Sequence, residues 1–364
     1  VLLTGPRRSG KTTLLKHLFP KAAYRLLEDL DVVARCRADP RAFLATLKPP
    51  VILDEIQNTP ELFNYLRSRI DETPEIKGQW ILTGSQEAPL MRGVTESMAG
   101  RIALFSLLPM SLEEAPAATL FSGGFPEVLE APAVSEIWFR SYIQTYLERD
   151  IRAITSIRDL STFRRFMGLL ASRCGQMLNK TDLAAPLGVS VPTITQWLCM
   201  LEITGQILLI PPFYENFGKR LVKTPKLYFS DSGLACHLLG VHSQETLISS
   251  PFRGPLFEGW VASEIAKHRI HRGQDKGLYY FRDKQGLEVD FVLDRGNRQL
   301  LLMEAKATQT PMPDDARALI RLGNAINGYT VTKLLVHEGR HAETECPLTP
   351  GVSAVSIVRL HANI

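Results

Sequence analysis

The sequence is poor in the features that would place a protein outside the cell or in a membrane. Its five cysteines, Cys36, Cys174, Cys199, Cys236 and Cys346, are odd in number and never in C-x-x-C spacing. Neither a disulfide framework nor a zinc site is indicated, and a reducing cytoplasm is the expected compartment. No run approaches the roughly 20 apolar residues that span a bilayer, and no secretory leader is evident, so no membrane partner is expected. Charge of one sign is also scarce. A net charge of +4 and a pI near 8.8 permit a polyanionic partner without requiring one. Apolar residues at 45% and charged residues at 22% are ordinary for a globular protein, and 364 residues are too many for one ordinary core. The sequence opens at Val1 rather than methionine, so further residues are expected upstream.

What is present begins at once. Val1-Leu2-Leu3-Thr4 is an apolar strand that runs into Gly5-Pro6-Arg7-Arg8-Ser9-Gly10-Lys11-Thr12. This satisfies G-x-x-x-x-G-K-T, and Thr13, Leu14, Leu15 and Leu18 follow as an amphipathic helix, the context a phosphate-binding P-loop needs. The glycines let backbone amides turn toward phosphate at the helix N-terminus. Residues Gly5 to Thr13 are therefore expected to bind ATP, with Lys11 on the β- and γ-phosphates and the Thr12 hydroxyl on Mg²⁺.

Tyr24 to Asp29 reads as a short strand and Asp31 to Leu47 as a helix ended by Pro49-Pro50. The apolar run Val51-Ile52-Leu53 then ends in Asp54-Glu55, which suits a central parallel strand delivering two acids to the ligand edge of the sheet. Asp54 is expected to orient Mg²⁺ and Glu55 to polarise the attacking water, a Walker B pair of the AAA+ type. A helix over Pro60 to Ile70 and a strand over Gln79 to Leu82 follow. Thr83 and Ser85 sit where a γ-phosphate sensor would stand, or they cap the next turn.

A helix is read from Glu87 to Ala99. Arg101 either completes an ATPase site, from a neighbouring subunit of a homo-oligomer, or is paired structurally. Leu107 to Glu114 reads as a strand end followed by a capped helix, with Ser111 as N-cap and Glu114 closing the box. A long helix is read from Ile137 to Arg152, where Arg149 and Arg152 either approach the nucleotide or pair with Glu148 and Asp150.

From Ile151 to Lys226 ten Lys/Arg face four Asp/Glu, an excess that suits nucleic acid. Within it, Asn179 to Leu187, a turn at Gly188-Val189-Ser190 and Val191 to Ile203 have helix-turn-helix spacing. Strands over Ile207 to Pro212 and Lys226 to Phe229, joined by a basic loop, complete a winged-helix pattern. DNA is the expected partner, read by Thr193, Thr195 and Gln196 and gripped by Lys219, Arg220 and Lys223; protein contact is the alternative.

The last third opens with a helix from Gly254 to about Arg269, then strands over Leu278 to Phe281, Leu287 to Leu293 and Leu300 to Lys306. Glu304 and Lys306 share a strand face and Asp290 can join them from the neighbouring strand. With Glu258 on the helix, this resembles the constellation of PD-(D/E)XK nucleases. Glu258, Asp290 and Glu304 would bind metal, and Asp290, Glu304 and Lys306 would carry catalysis. His337-Glu338-Gly339-Arg340-His341 matches H-E-x-x-H, but it follows a strand and contains glycine, so a turn is expected instead of a zinc site.

The order of these parts resembles a prokaryotic family of AAA-type ATPases with a C-terminal winged helix and a PD-(D/E)XK nuclease-like domain of unknown function. The residues that carry the resemblance include Gly5 to Leu15, Leu53 to Gln57, Leu82 to Ser85, Gly124-Phe125-Pro126-Glu127, Tyr146 to Asp150, Phe229 to Leu234 and Glu288 to Phe291 with Glu304-Ala305-Lys306. The expected architecture is α/β: a P-loop NTPase sheet of AAA+-like form over residues 1–115, a helical lid over 116–160, a winged helix over 161–245 and a restriction-endonuclease-like domain over 246–364. The expected function is ATP-dependent DNA processing, with a nucleotide-gated switch or an ATP-driven protein remodeller as alternatives.

Overall fold

The computed structural model describes residues 1–84, 97–147, 160–213, 224–339 and 345–364. Ser85, Arg149, Arg152, Lys219, Arg220, Lys223 and His341, and most of the helix read over Glu87 to Ala99, lie outside the described residues.

The N-terminal sheet is parallel and ordered β2-β3-β4-β1-β5, with β1 Leu2–Thr4, β2 Ala23–Leu26, β3 Val51–Asp54, β4 Trp80–Thr83 and β5 Leu104–Ser106. Strands β1, β3 and β4 are buried along their whole length because both faces are covered. On one face Leu2, Leu53 and Leu82 share a core with Phe63 and Leu66 of the helix Leu62–Glu72. On the other, Leu3, Ile52 and Ile81 pack with Leu15 of α1 (Lys11–Leu18), as strand alternation requires. Insertion of β4 between β1 and β3 brings Thr83 between the P-loop and Asp54.

Three expected helices are reshaped. The span Asp31 to Leu47 divides into α2 (Leu30–Ala38) and α3 (Pro40–Ala45), because Pro40 cannot continue a helix and the Asp39 side chain caps a new one by accepting from the Ala42 N–H. Ser111 and Glu114 make the capping-box hydrogen bonds, yet no helix follows them. Further on, the helix Ser135–Tyr142 relaxes into a wide π turn over Ile143–Leu147.

The middle of the chain holds the helices Leu160–Ala171, Lys180–Ala184 and Val191–Ile203. The segments Lys180–Leu187 and Val191–Ile203 cross at 112° about Gly188, whose φ of +67° suits glycine. An antiparallel pair follows, β6 (Ile207–Ile210) and β7 (Lys226–Phe229). The last third is an 18-residue helix, Arg253–Ile270, against a mixed sheet ordered β12-β13-β11-β10-β9-β8. Its strands are β8 Leu278–Arg282, β9 Glu288–Asp294, β10 Gln299–Lys306, β11 Thr330–His337, β12 Cys346–Thr349 and β13 Val352–Ser356. One apolar core runs from Leu108 to Leu360 through the middle and last thirds. Among the described residues no single helix is long and apolar enough to cross a membrane.

Candidate functional site

The chain leaves β1 at Gly5, whose φ is +137°; a Cβ there would lie 2.1 Å from the Leu107 carbonyl oxygen. Only glycine therefore lets the loop start this close to the chain beyond β5. Gly10, at φ +93°, precedes the first helical residue, Lys11. Lys11 Nζ donates to the Gly5 carbonyl at 3.1 Å and the Pro6 carbonyl at 2.7 Å, holding the ammonium across the loop. Ser9 Oγ is buried and has no hydrogen-bond partner among the described residues, an unsatisfied polar atom within the loop.

Asp54, 2% exposed, is the hub beside the loop. Its Oδ2 accepts from Thr12 Oγ1 at 2.8 Å and from Tyr24 Oη at 2.7 Å, and its Oδ1 accepts from Thr83 Oγ1. Burial and this bond to Asp54 push the Tyr24 phenol well above its ordinary range, so it remains a donor. Glu55 follows at φ +60°, uncommon for a residue with a side chain and typical of functional positions. Its N–H donates to Thr83 Oγ1 at 3.2 Å, its carboxylate accepts from Gln57 Nε2, and Arg7 stands 4.0 Å away. The strand-end hydroxyl of Thr83 thus bonds the Asp54 carboxylate and the Glu55 backbone. Tyr24 carried no motif signal; only the pairing of β2 with β3 brings it to Asp54.

The loop lines a cleft of about 1040 Å³ that contains residues Arg7 to Leu14 and Glu55, and whose far wall is residues 107–130. Gly5, Pro6, Asp54 and Thr83 lie outside that lining; the Pro6 ring packs against Gly205, where a Cβ would come within 3.0 Å. The far wall is fixed by side chains from elsewhere. Arg8 pairs with Glu127 at 2.7 Å, and Glu127 also accepts from the Trp138 indole at 2.6 Å. Asp231, fully buried, accepts from the Gly124 N–H at 2.7 Å, while Lys267 donates to the Met110 carbonyl and Glu264 accepts from the Leu112 N–H. The Gly124 to Glu127 stretch and the Ser230-Asp231-Ser232-Gly233 stretch, distant in sequence, are therefore two sides of one contact.

His271 Nε2 accepts from the Leu108 N–H at 3.1 Å, leaving Nδ1 to carry the proton toward Glu114 at 3.3 Å. Burial alone would raise the Glu114 carboxyl, but His271 and Ser111 outweigh it and hold it at about 2, against an ordinary 4.5. The lowered value means stability present above pH 4.5 and lost as pH falls toward 2. Glu114 is 42% exposed, so solvent screening keeps the contribution below about 1 kcal/mol. Urea midpoints measured between pH 4.5 and 2 are expected to fall more steeply for the wild type than for Glu114→Gln.

Arg101 does not line the cleft; it pairs with Asp71 at 2.6 Å. In the middle of the chain, Gln196 and Thr195 are exposed on the helix Val191–Ile203, but the Thr195 hydroxyl bonds the Val191 carbonyl and the Thr193 hydroxyl lies 2.8 Å from Ser190 Oγ. Both threonines thus support the helix as well as facing outward.

In the last third Glu258, Asp290, Glu304 and Lys306 do come together, together with two residues the motif reading left out. Lys226 of β7, 2% exposed, places Nζ 3.0 Å from Glu258 and 2.6 Å from Glu288, with Asp290 at 3.7 Å. Tyr228, on the same face of β7, donates to Glu258 at 2.5 Å. Asp290 Oδ2 accepts from the Ala305 N–H, and Lys306 pairs with Glu304 at 3.0 Å. Burial holds Glu258, Asp290 and Glu304 above the usual carboxylate range; for Lys226 the surrounding acids outweigh burial and keep it protonated. Among the described residues no three His, Cys, Asp or Glu are arranged to hold a metal ion. The expected metal ligands Glu258 and Asp290 both face the Lys226 ammonium. His337 ends β11 and accepts from the Gly339 N–H, while Glu338 pairs with Arg253; the rest of the H-E-x-x-H stretch, Arg340 and His341, lies outside the described residues.

Three family matches cover most of the chain: an AAA domain over 1–115, a domain of unknown function (DUF8612) over 114–245 and another (DUF4143) over 253–357. Uncharacterized protein Rv2008c of Mycobacterium tuberculosis and uncharacterized protein Mb2031c of Mycobacterium bovis are each 33% identical to it over 319 residues, 85% of this chain and 71% of theirs. The chain therefore belongs to the family of these two mycobacterial proteins, and its N-terminal sheet is an AAA domain.

Proposed function

We propose that the chain is a Mg²⁺-dependent ATPase whose turnover drives a switch acting on DNA. The observation that carries the ATPase reading is the convergence of Thr12, Tyr24 and Thr83 on Asp54, with Glu55 next in the chain, at the mouth of a loop whose Ser9 hydroxyl lacks a partner. ATP and Mg²⁺ fit that donor set. Lys11 and the loop amides would bind phosphate, and Thr12 and Asp54 would hold the ion, which supplies charge neutralisation at the transferred phosphoryl group. Glu55 accepts the proton of the attacking water and Thr83 fixes the orientation of both acids. Arg8, through Glu127, ties the loop to the wall that Asp231 and Lys267 anchor, so a shift at the phosphate would reach the rest of the molecule.

The DNA reading rests on the 112° helix pair and the exposed Gln196 and Thr195 within a segment rich in basic residues. Its test is the ATPase rate with and without duplex and branched DNA. Several-fold stimulation that weakens in Gln196→Ala is expected. Stimulation by a protein and not by DNA would instead favour the remodeller.

A further inference from the structure

We propose that Lys226 is the built-in cation of the acidic cluster in the last third, and that this site takes no divalent metal ion while the Lys226 ammonium is seated there. An ammonium has three N–H donors and no acceptor. Nζ of Lys226 faces three carboxylates, Glu258 at 3.0 Å, Glu288 at 2.6 Å and Asp290 at 3.7 Å, and it lies over the Tyr280 ring at 5.6 Å. Glu258 and Glu288 lie within hydrogen-bond distance of its donors, Asp290 adds its charge from 3.7 Å, and the aromatic face covers part of the rest of the charge.

The position is fixed from several sides. Tyr228, two residues along β7, is bound to Glu258. The chain just before Lys226 is held by the Tyr280 hydroxyl, which donates to the Thr224 carbonyl at 2.6 Å. Lys226 also bridges to Met177. Only 2% of Lys226 is exposed, and a buried ammonium is tolerated only when paired in this way.

A metal ion would need the same oxygen atoms. Magnesium and manganese bind carboxylate oxygen at about 2.0–2.2 Å, inside the shell that Nζ already fills, and two cations within about 4 Å repel strongly where water is scarce. Glu304 is left with Lys306 as its cation, and its Oε2 is buried without a hydrogen-bond partner. That atom is a carboxylate oxygen available to a metal once Lys226 is withdrawn. The strand that delivers Lys226 continues through Ser230 to Asp231, which holds Gly124 beside the nucleotide cleft. The same element thus touches both sites, whereas the proposal itself is independent of the ATPase reading.

The test is Mn²⁺ binding to the full chain without nucleotide, followed by electron paramagnetic resonance, for the wild type, Lys226→Gln, Lys226→Arg, Asp290→Asn and Lys226→Gln/Asp290→Asn. The expected result is one additional Mn²⁺ site in Lys226→Gln, absent from the wild type and from Lys226→Arg, and lost again in the double variant. If Lys226→Gln does not fold alone, millimolar Mn²⁺ is expected to restore its melting transition, while Lys226→Arg folds without metal. The proposal is overturned if wild-type protein binds Mn²⁺ at a site that Asp290→Asn removes, if folded Lys226→Gln gains no site, or if no cation restores an unfolded Lys226→Gln.

Discussion

Replacing Glu55 by glutamine is expected to lower the rate of ATP hydrolysis by about 10²–10⁴-fold while ATP affinity stays within a few-fold of wild type. The amide keeps the shape of the side chain and an oxygen that can accept from Gln57 Nε2, so the bend at Glu55, with its N–H on Thr83, is preserved. What is lost is a group able to take the proton of the attacking water. Lys11, Ser9 and the loop amides, on which ATP binding depends, are untouched. The measurement pairs titration with a fluorescent ATP analogue and phosphate release on the same sample. An equal loss of affinity and rate would mean that Glu55 acts in binding and that another group is the base.

The largest structural effect is expected at Asp231. Removing its carboxylate in Asp231→Ala takes the cap from the helix Ser232–Leu238, where Oδ1 accepts from the Leu234 N–H at 2.8 Å. It also orphans the buried Gly124 N–H. Loss of a cap costs about 0.5–2 kcal/mol and a buried unsatisfied donor about 1–3 kcal/mol, so a loss of about 2–4 kcal/mol is expected. In the wild type the two sides of this contact are tightly apposed. A Cβ on Gly123 would fall 2.3 Å from Asp231 Oδ1, and one on Gly124 would fall 2.1 Å from the Met110 carbonyl oxygen. A lower urea midpoint with an unchanged slope would show the loss. An unchanged midpoint would mean the contact between residues 123–124 and Asp231 carries little stability.

The P-loop, the strand ending in Asp54-Glu55 and the helix Val191–Ile203 were legible because their signals are local: a fixed spacing, an unbroken apolar run, a short turn at Gly188 between two helical segments. The place of Thr83 at a strand end beside Asp54 was legible from the strand pattern alone. Other features depend on contacts that no local pattern records. Tyr24 reaches Asp54 only because β2 pairs with β3. Lys226 reads in sequence as one more basic residue near a loop, and its role appears only when β7 is laid against Glu258 and β9. The Asp39-Pro40 break was readable from its residues, yet the apolar spacing across it outweighed that signal in the reading of Asp31 to Leu47. Ser111 and Glu114 show the reverse case: a helix-start pattern met in full, with Leu112 then held by Glu264 instead of continuing a helix.

The central claim is that the cleft beside Gly5 to Thr12 binds and hydrolyses ATP. Its most direct test is phosphate release from ATP in the presence of Mg²⁺ by the purified chain and by Lys11→Ala, at equal folded concentration. Turnover by the wild type and only background release by Lys11→Ala is the predicted result. Equal release by both proteins, or no turnover and no ATP binding by the wild type, would contradict it.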